Sequence, residues 1–372
     1  MSTPPCRWGI LGTANIARKN WKAIRNAGNA VLVAVASRER SRAQLFIEQC
    51  LNHVPFTPAP ISCGSYQELI ERADIDAVYI PLPTGIRKEW VLRAAEAGKH
   101  ILCEKPCGVT SADARAMLEA CRNNGLQFMD GVMFMHSQRL PLLRRVLDDG
   151  QSIGAICRIA SQFSFKGTED FLNANIRVSS ALEPLGALGD LGWYNIRFSL
   201  CVMNEQLPER VSGRILVEHG RQDSALPVPL EFSGELFFAG GVSASFYCSF
   251  RAENQQWAVV SGAQGYAHVP DFVVPYFGSE VAFEVNSPVF RPQGCDFNME
   301  SHPRRFAVPE YSNSTANSQE ANMIRKFSEM VTSGRLEPRW GELALKTQQV
   351  VDACLASARN EGKVIRVGAE GS

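Results

Sequence analysis

Over its first 130 residues the chain alternates short apolar runs with stretches whose apolar side chains recur at helical spacing. Residues 8–11 form one such run. Residues 15–27 follow with Ile16, Trp21 and Ile24 on a helical repeat. Residues 30–36 are apolar throughout, the pattern of a strand covered on both faces. The run 77–80 ends at Pro81 and Pro83, and a helical pattern over 89–97 stops at Gly98. Residues 99–103 and 127–129 read as further strands. Between them Thr110 and Asp113 predict a capped helix that ends at Asn124-Gly125. Strand, helix and strand repeated in this way predict a parallel sheet with helices on both faces.

Beyond about residue 150 the rhythm changes. Strand-like runs at 156–165, 210–218, 230–238, 242–250 and 257–262 follow one another, with one helical stretch at 188–203. That order predicts a mostly antiparallel sheet. Residues 276–316, rich in Pro, Gly, Asn and Ser, read as long loops, and helices at 319–332 and 340–360 close the chain. The expected fold is therefore α/β. A doubly wound α/β domain over 1–130 precedes an α+β domain over 131–372, whose last helices pack back on the first. The boundary falls within 128–150 and has no flexible linker. A length of 372 residues suits two domains at roughly 150 residues each.

Composition narrows the class. Apolar residues make up 45% and charged residues 20%, ordinary values for a globular chain with a sizeable core. The 38 basic and 38 acidic residues cancel, so nothing electrostatic favours nucleic acid or an anionic membrane. The eleven cysteines are scattered, odd in number and often inside apolar runs, as expected of free thiols in a reducing compartment. Residues 1–7 hold no apolar signal core, and no stretch approaches the ~20 apolar residues of a spanning helix. These features predict a soluble cytoplasmic protein.

The first strand-to-helix turn reads Gly9-Ile-Leu-Gly12-Thr13-Ala14-Asn15-Ile16-Ala17. As G-x-G-x-x-G/A, its positions are Gly12, Ala14 and Ala17: a tight turn, the approach to a pyrophosphate, and close helix–strand packing. Alanine at the middle position weakens the match, but the helix N-terminus still offers free N–H groups to phosphate. Gly12, Thr13, Ala14, Asn15 and Ile16 are the candidate dinucleotide contacts. At the end of the second strand an NAD enzyme carries an acidic residue for the ribose 2′-OH; here Ser37 and Arg38 stand there. A hydroxyl and a guanidinium suit a 2′-phosphate, so NADP(H) is preferred, with NAD(H) as the alternative. Arg38, Arg40 and Arg42 also fit a solvated helix face.

Glu104-Lys105-Pro106 follows the run 99–103 directly. In an open parallel sheet the carboxyl ends of strands line the ligand crevice. Lys105 would lie there beside a nicotinamide and a substrate hydroxyl with Glu104 orienting it, or the two would form a surface ion pair.

Taken with Pro81-Leu82-Pro83-Thr84 and Gly186-Ala-Leu-Gly-Asp190-Leu-Gly-Trp-Tyr194, these motifs resemble the Gfo/Idh/MocA oxidoreductase family over most of residues 7–360. The resemblance implies an N-terminal Rossmann domain and a large open, mostly antiparallel C-terminal sheet that often forms the subunit interface. Tyr194, where sugar dehydrogenases of the family usually carry His, is similar to the branch of the dimeric dihydrodiol dehydrogenases and the NADP-dependent D-xylose dehydrogenases. It implies Lys105 and Tyr194 as the catalytic pair, with Asp190 one helical turn before the tyrosine. Pro81, Leu82, Pro83 and Glu104 would face the cofactor. A Lys105 ammonium beside Tyr194 would lower the phenol pKa from its ordinary value near 10 and ready it for proton transfer.

Two positions depart from the family pattern: Arg87 replaces a frequent His, and Phe134 a frequent Trp. Arg87 would place a cation near cofactor or substrate, or face solvent. His136 and Arg177 are further substrate-binding candidates, with structural and surface roles as alternatives. Phe163, Phe165 and Phe171 fit a pocket wall or plain core. His100, Cys103 and Cys107 do not make a metal site, because the first two fall on opposite faces of a strand. The expected activity is an NADP(H)-dependent dehydrogenase or reductase for a secondary alcohol or hemiacetal of a sugar or cyclic trans-diol. An enzyme that cycles hydride internally and a non-catalytic NADP(H) sensor are the alternatives. A small carbohydrate or diol is the expected partner, with a homodimer or larger homo-oligomer formed through the second sheet, where the apolar alternation over 236–250 would meet a twofold mate.

Overall fold

A computed structural model of the chain describes residues 4–368; the stretch 1–7 read above for a signal core lies partly outside them. Its first part contains β1 (Cys6–Leu11), α1 (Asn15–Ala27), β2 (Ala30–Ala36), α2 (Arg40–Leu51), β3 (Ile61–Cys63), α3 (Tyr66–Ile70), β4 (Ala77–Ile80), α4 (Thr84–Glu96), β5 (His100–Cys103), α5 (Ser111–Asn123) and β6 (Phe128–Asp130). The six strands pair in parallel in the order β3-β2-β1-β4-β5-β6. The strand order reverses between β1 and β4, and ligands of such sheets bind at the carboxyl ends of the strands beside that switch.

The local chemistry explains most boundaries. Thr110 caps α5 by accepting the Asp113 N–H at 3.3 Å. Gly28, at φ 86°, ends α1 in the left-handed conformation that glycine tolerates. Helix α4 departs from expectation by starting at Thr84 instead of residue 89. Its first turn is capped from a distance: Glu183 accepts the Thr84 N–H at 3.0 Å and also the Thr84 hydroxyl. A cap supplied from a hundred residues away leaves no local pattern to read. Strand β3 and helix α3 are too short for the patterning to mark, and of α2 only the basic face at Arg40 and Arg42 shows in the sequence.

The second part contains α6 (Arg139–Asp148), β7 (Ile156–Ser164), α7 (Glu169–Ala174), α8 (Trp193–Val202), β8 (Arg210–His219), β9 (Val228–Phe237), β10 (Ser243–Ser249), β11 (Gln255–Gly262), β12 (Tyr266–Val269), β13 (Glu280–Asn286), β14 (Val289–Gln293), β15 (Asp296–Glu300), β16 (Pro303–Pro309), α9 (Gln319–Ser333), α10 (Arg339–Arg359) and β17 (Ile365–Arg366). Nine strands form one sheet in the order β16-β13-β12-β11-β7-β10-β9-β8-β17, antiparallel except for the β7–β10 pair.

Three corrections follow. Residues 276–316 are not long loops: they carry β13 to β16, and the alternation of buried Val281, Phe283 and Val285 marks β13. The helical stretch at 188–203 opens as a π-turn over Leu188–Gly192 and becomes α-helical only at Trp193. The apolar alternation over 236–250 turns mostly inward, leaving Phe237 and Tyr247 half-buried on the outer face. Leu236, Ala244, Phe246 and Cys248 are buried, on the face packed against the π-turn and α8. The opposite face carries Glu235, Ser243 and Ser245, all bonded to Arg158.

Helix α9 lies against α1 and β1. Trp8 of β1 donates its indole N–H to Ser328 Oγ at 3.0 Å, and its ring sits 5.1 Å from that of Phe327. Lys19 of α1 pairs with the buried Glu320 of α9 at 2.6 Å. Among the described residues no helix is long and apolar enough to cross a membrane.

Candidate active site

A cavity of about 760 Å³ runs from the N-terminus of α1 across the carboxyl ends of β4 and β5 to the inner face of the second sheet. The parallel-sheet side contributes Ala14, Asn15 and Ile16, the turn Pro81-Leu82-Pro83, and Glu104 and Lys105. The other side contributes Met133, Phe163, Phe165, Phe171, Arg177, Asp190 and Tyr194. Residues expected to hold a cofactor and residues expected to perform chemistry thus share one space.

Helix α1 has no side-chain cap at its N-terminus, so its first backbone N–H groups stay available to an anion. Gly12 precedes it at φ +117°, and a Cβ there would lie 3.0 Å from Leu82 Cδ2. Positive φ and close approach both require glycine. These features fit the pyrophosphate of a dinucleotide. Gly12, Thr13, Ser37 and Arg38 lie outside the cavity lining, at the adjoining tips of β1 and β2. There the Gly12 N–H is bonded to the Ala36 carbonyl at 2.9 Å. Ser37 is buried and Arg38 exposed. Arg40, which shared the solvated-face reading, is committed to Glu68 and to the Ser62 carbonyl.

At the other end Lys105 Nζ donates to Asp190 Oδ1 at 2.6 Å and to the Asp190 carbonyl at 2.8 Å. Arg177 Nε approaches the second carboxylate oxygen at 2.8 Å. Burial alone would push the Asp190 carboxyl up, but Arg177 and Lys105 outweigh it and hold the pKa below its ordinary value. Lys105 Nζ also lies 4.8 Å from the centre of the Tyr194 ring. Tyr194 is 6% exposed, its ring is flanked by Phe163 and Phe134, and its hydroxyl is 3.6 Å from Met133 Sδ.

The phenol does not behave as the sequence suggested. Burial pushes its pKa well above the ordinary value, and the Glu104 and Asp190 carboxylates push the same way; Arg177 opposes them. The Lys105 ammonium is bound to Asp190, so its charge is largely answered before it reaches the phenol. In this environment Tyr194 holds its proton.

Two expected substrate contacts change role. His136 is not part of the cavity lining. It is partly buried and stacked on Trp340 at 4.6 Å, and desolvation of its ring together with Arg197, Lys326 and Arg339 pushes its pKa down to about 3. Its ring is therefore neutral near pH 7. Arg87 does line the cavity floor, yet its side chain is 3% exposed and its donors go to backbone carbonyls. Arg177 stays half-exposed at the cavity wall.

Sequence reasoning passed over Tyr79, whose hydroxyl donates to Glu104 Oε1 at 2.6 Å, and Glu183, which caps α4. It also missed Lys19, Glu320 and Met133 in the lining. Tyr79 carried a signal, a hydroxyl next to the end of an apolar strand; Glu183 carried none. Among the described residues no group of three or more His, Cys, Asp and Glu side chains is arranged to hold a metal.

Known proteins are similar to this chain in sequence and fold. A model of the Gfo/Idh/MocA family, described as an oxidoreductase family with an NAD-binding Rossmann fold, matches residues 6–132. The model of the family's C-terminal domain matches residues 142–268. The chain is 29% identical to the dTDP-3,4-didehydro-2,6-dideoxy-α-D-glucose 3-reductase of Actinomadura kijaniata, over 96% of either protein. It is 31% identical to the trans-1,2-dihydrobenzene-1,2-diol dehydrogenase of Bos taurus, over 71% of this chain and 74% of that one. A crystal structure of a 3-ketoreductase from A. kijaniata with NADP and TDP-benzene superposes with a TM-score of 0.80 at 27% identity, covering 95% of this chain and 98% of that one.

Proposed function

The chain belongs to the Gfo/Idh/MocA family of oxidoreductases, and on that premise we propose that it is an NADP(H)-dependent enzyme interconverting a secondary alcohol or hemiacetal of a sugar or cyclic trans-diol with the corresponding carbonyl compound, with Tyr194 and Lys105 as its proton-handling pair. Residues 1–130 serve as the cofactor domain and 131–372 as the substrate domain. The observation that carries the reading is the meeting of Lys105, Asp190 and Tyr194 in the cavity that begins at the open N-terminus of α1.

The N-terminus of α1 and the turn Pro81-Leu82-Pro83 would hold the dinucleotide, with Ser37 and Arg38 at its 2′-phosphate. When bound, the nicotinamide supplies or accepts the hydride. Tyr194 keeps its proton at neutral pH and donates it to the carbonyl oxygen in the reducing direction; in the oxidising direction it must first lose that proton, which its surroundings oppose. Lys105, fixed by Asp190, lies against the phenol ring and orients the reacting oxygen. Arg177 and the Phe163, Phe165 and Phe171 rings bound the substrate side. The three rings cover one face of a bound substrate, while Asn175, Arg177, Glu183 and Asp190 supply polar contacts on the other.

The test is spectrophotometric. NADPH consumption with cyclic ketones and ketosugars, and NADPH formation from NADP⁺ with D-xylose, D-glucose and trans-cyclohexane-1,2-diol, are measured with NAD(H) in parallel. Turnover is expected with NADP(H) and one of these classes. Tyr194→Phe should lose roughly 10²–10⁴ in rate while NADPH affinity stays within a few-fold. Wild-type turnover by that variant refutes the assignment. A twofold partner on the outer face of the nine-stranded sheet belongs to the same proposal; light scattering that gives a strict monomer refutes it.

A further inference from the structure

Arg87 occupies the place where a substrate-facing cation was expected, and its surroundings give it a different task. Strands β4 and β5 pair only as far as Ile80 and Cys103, and the next bond joins the Glu104 N–H to the Ile80 carbonyl at 3.2 Å. Beyond it both chains turn through prolines: Pro81 and Pro83 on one side, Pro106 on the other. Proline has no N–H to donate, so these turns cannot continue the ladder, while their buried carbonyls still need donors.

Arg87 reaches between the two turns from the first turn of α4. Its Nε donates to the Leu82 carbonyl at 2.8 Å, and one terminal nitrogen donates to the same carbonyl. The other terminal nitrogen donates to the Glu104 carbonyl at 2.9 Å and to the Pro106 carbonyl. Leu82 in turn closes on Gly12, and Lys105 stands between Glu104 and Pro106. A single guanidinium therefore ties the turn that abuts the glycine turn to the turn that carries Lys105.

We propose that Arg87 is a positioning residue: it clamps the two turns and so sets where Lys105 stands relative to Tyr194, without contacting substrate. The proposal rests on the functional reading above only in taking Lys105 as catalytic. The geometry needs a planar fork of several N–H donors. Lysine brings the charge on a flexible stem without the fork, and neutral histidine brings one N–H.

The experiment compares full-length wild type with Arg87→Lys, Arg87→His and Arg87→Met. Hydrogen exchange is followed in peptides covering 80–88 and 100–108, with NADPH dissociation constants from fluorescence, melting curves, and steady-state kinetics on any compound the substrate panel identifies. Exchange should quicken about tenfold or more in both turns together, in the lysine variant as in the methionine variant, and NADPH binding should weaken several-fold, because the loosened turn Pro81-Leu82-Pro83 is the one proposed to hold the dinucleotide. The kinetic arm should show kcat down roughly a hundredfold, the scale expected when a reacting group is misplaced by about an ångström, with KM nearly unchanged. Wild-type exchange in Arg87→Lys overturns the clamp, as does a raised KM at preserved kcat, which would mark a substrate-binding cation. If Arg87→Met does not fold, the lysine and histidine variants decide by the same readouts. Exchange and NADPH binding need no substrate, so a silent panel sinks the functional reading without deciding this one.

Discussion

Replacing Asp130 by asparagine should cost the fold about 3–5 kcal/mol, the usual price of stranding one partner of a buried ion pair. Asp130 ends β6, and Arg197 lies in α8; their side chains are 1% and 0% exposed. Two guanidinium nitrogens reach the two carboxylate oxygens at 3.1 and 2.6 Å, and the Trp193 indole N–H reaches one of them at 3.1 Å. Asparagine keeps the shape but turns an N–H₂ group or a neutral oxygen toward the guanidinium. Arg197 then retains Thr347 Oγ1 at 2.8 Å and a long contact to the Leu343 carbonyl, both neutral. Hydrogen bonds to charged groups contribute roughly 1.5–3 kcal/mol each, so weakening two of them gives a similar figure. Against a total stability of about 5–15 kcal/mol, the loss is a large fraction. Equilibrium urea unfolding, read by far-UV circular dichroism and tryptophan fluorescence, measures it. The double variant D130N/R197M removes the stranded charge and should recover at least half of the loss. A D130N cost below about 1 kcal/mol, or a double variant no better than D130N alone, would refute the reasoning. Because Trp193 precedes Tyr194, D130N should also depress turnover at temperatures where it is still folded.

The remaining predictions concern chemistry and packing. Tyr194 has a raised pKa, so its acid form persists below that value; the reduction rate should stay flat from pH 7 to about 10, whereas a fall with a midpoint near pH 8 would show a phenol lowered by Lys105. Gly85→Ala should destabilise the protein by roughly 1–3 kcal/mol, because the new Cβ would meet the Ala181 carbonyl oxygen at 2.0 Å; an unchanged melting temperature in differential scanning fluorimetry would contradict this. Ser37→Glu should swing cofactor preference from NADPH toward NADH by about tenfold or more, since a carboxylate suits a ribose 2′-OH and repels a 2′-phosphate; titration of both nucleotides checks it.

The parallel sheet was legible because strands covered on both faces must be apolar throughout, and residues 30–36 and 77–80 could hardly be anything else. The site's backbone was legible too, since Gly12, the Glu104-Lys105-Pro106 turn and the Asp190–Tyr194 spacing are short-range signatures. What the sequence concealed was long-range. Glu183 caps a helix far from it in the chain, and four strands hide in 276–316 because turn residues outnumber their short apolar alternation. The titration of Tyr194 was misjudged for a related reason. A neighbouring lysine can be inferred from motifs, whereas burial and the carboxylates that answer its charge emerge only in three dimensions. Arg87 shows the same limit, since a cation near a cleft can be spent entirely on carbonyls that no motif displays.

The contact between Trp8 and Ser328 spans 320 positions in the chain. At a synthesis rate of roughly 5–20 residues per second, the tryptophan of the first strand leaves the ribosome about a quarter of a minute to a minute before its partner exists. Until α9 arrives, one flank of the parallel sheet lies bare in a neighbourhood crowded with other nascent chains. The order of translation thus runs against the order of packing, and the protein's yield in a cell should depend on whatever shelters that flank during the wait as much as on the stability of the finished fold.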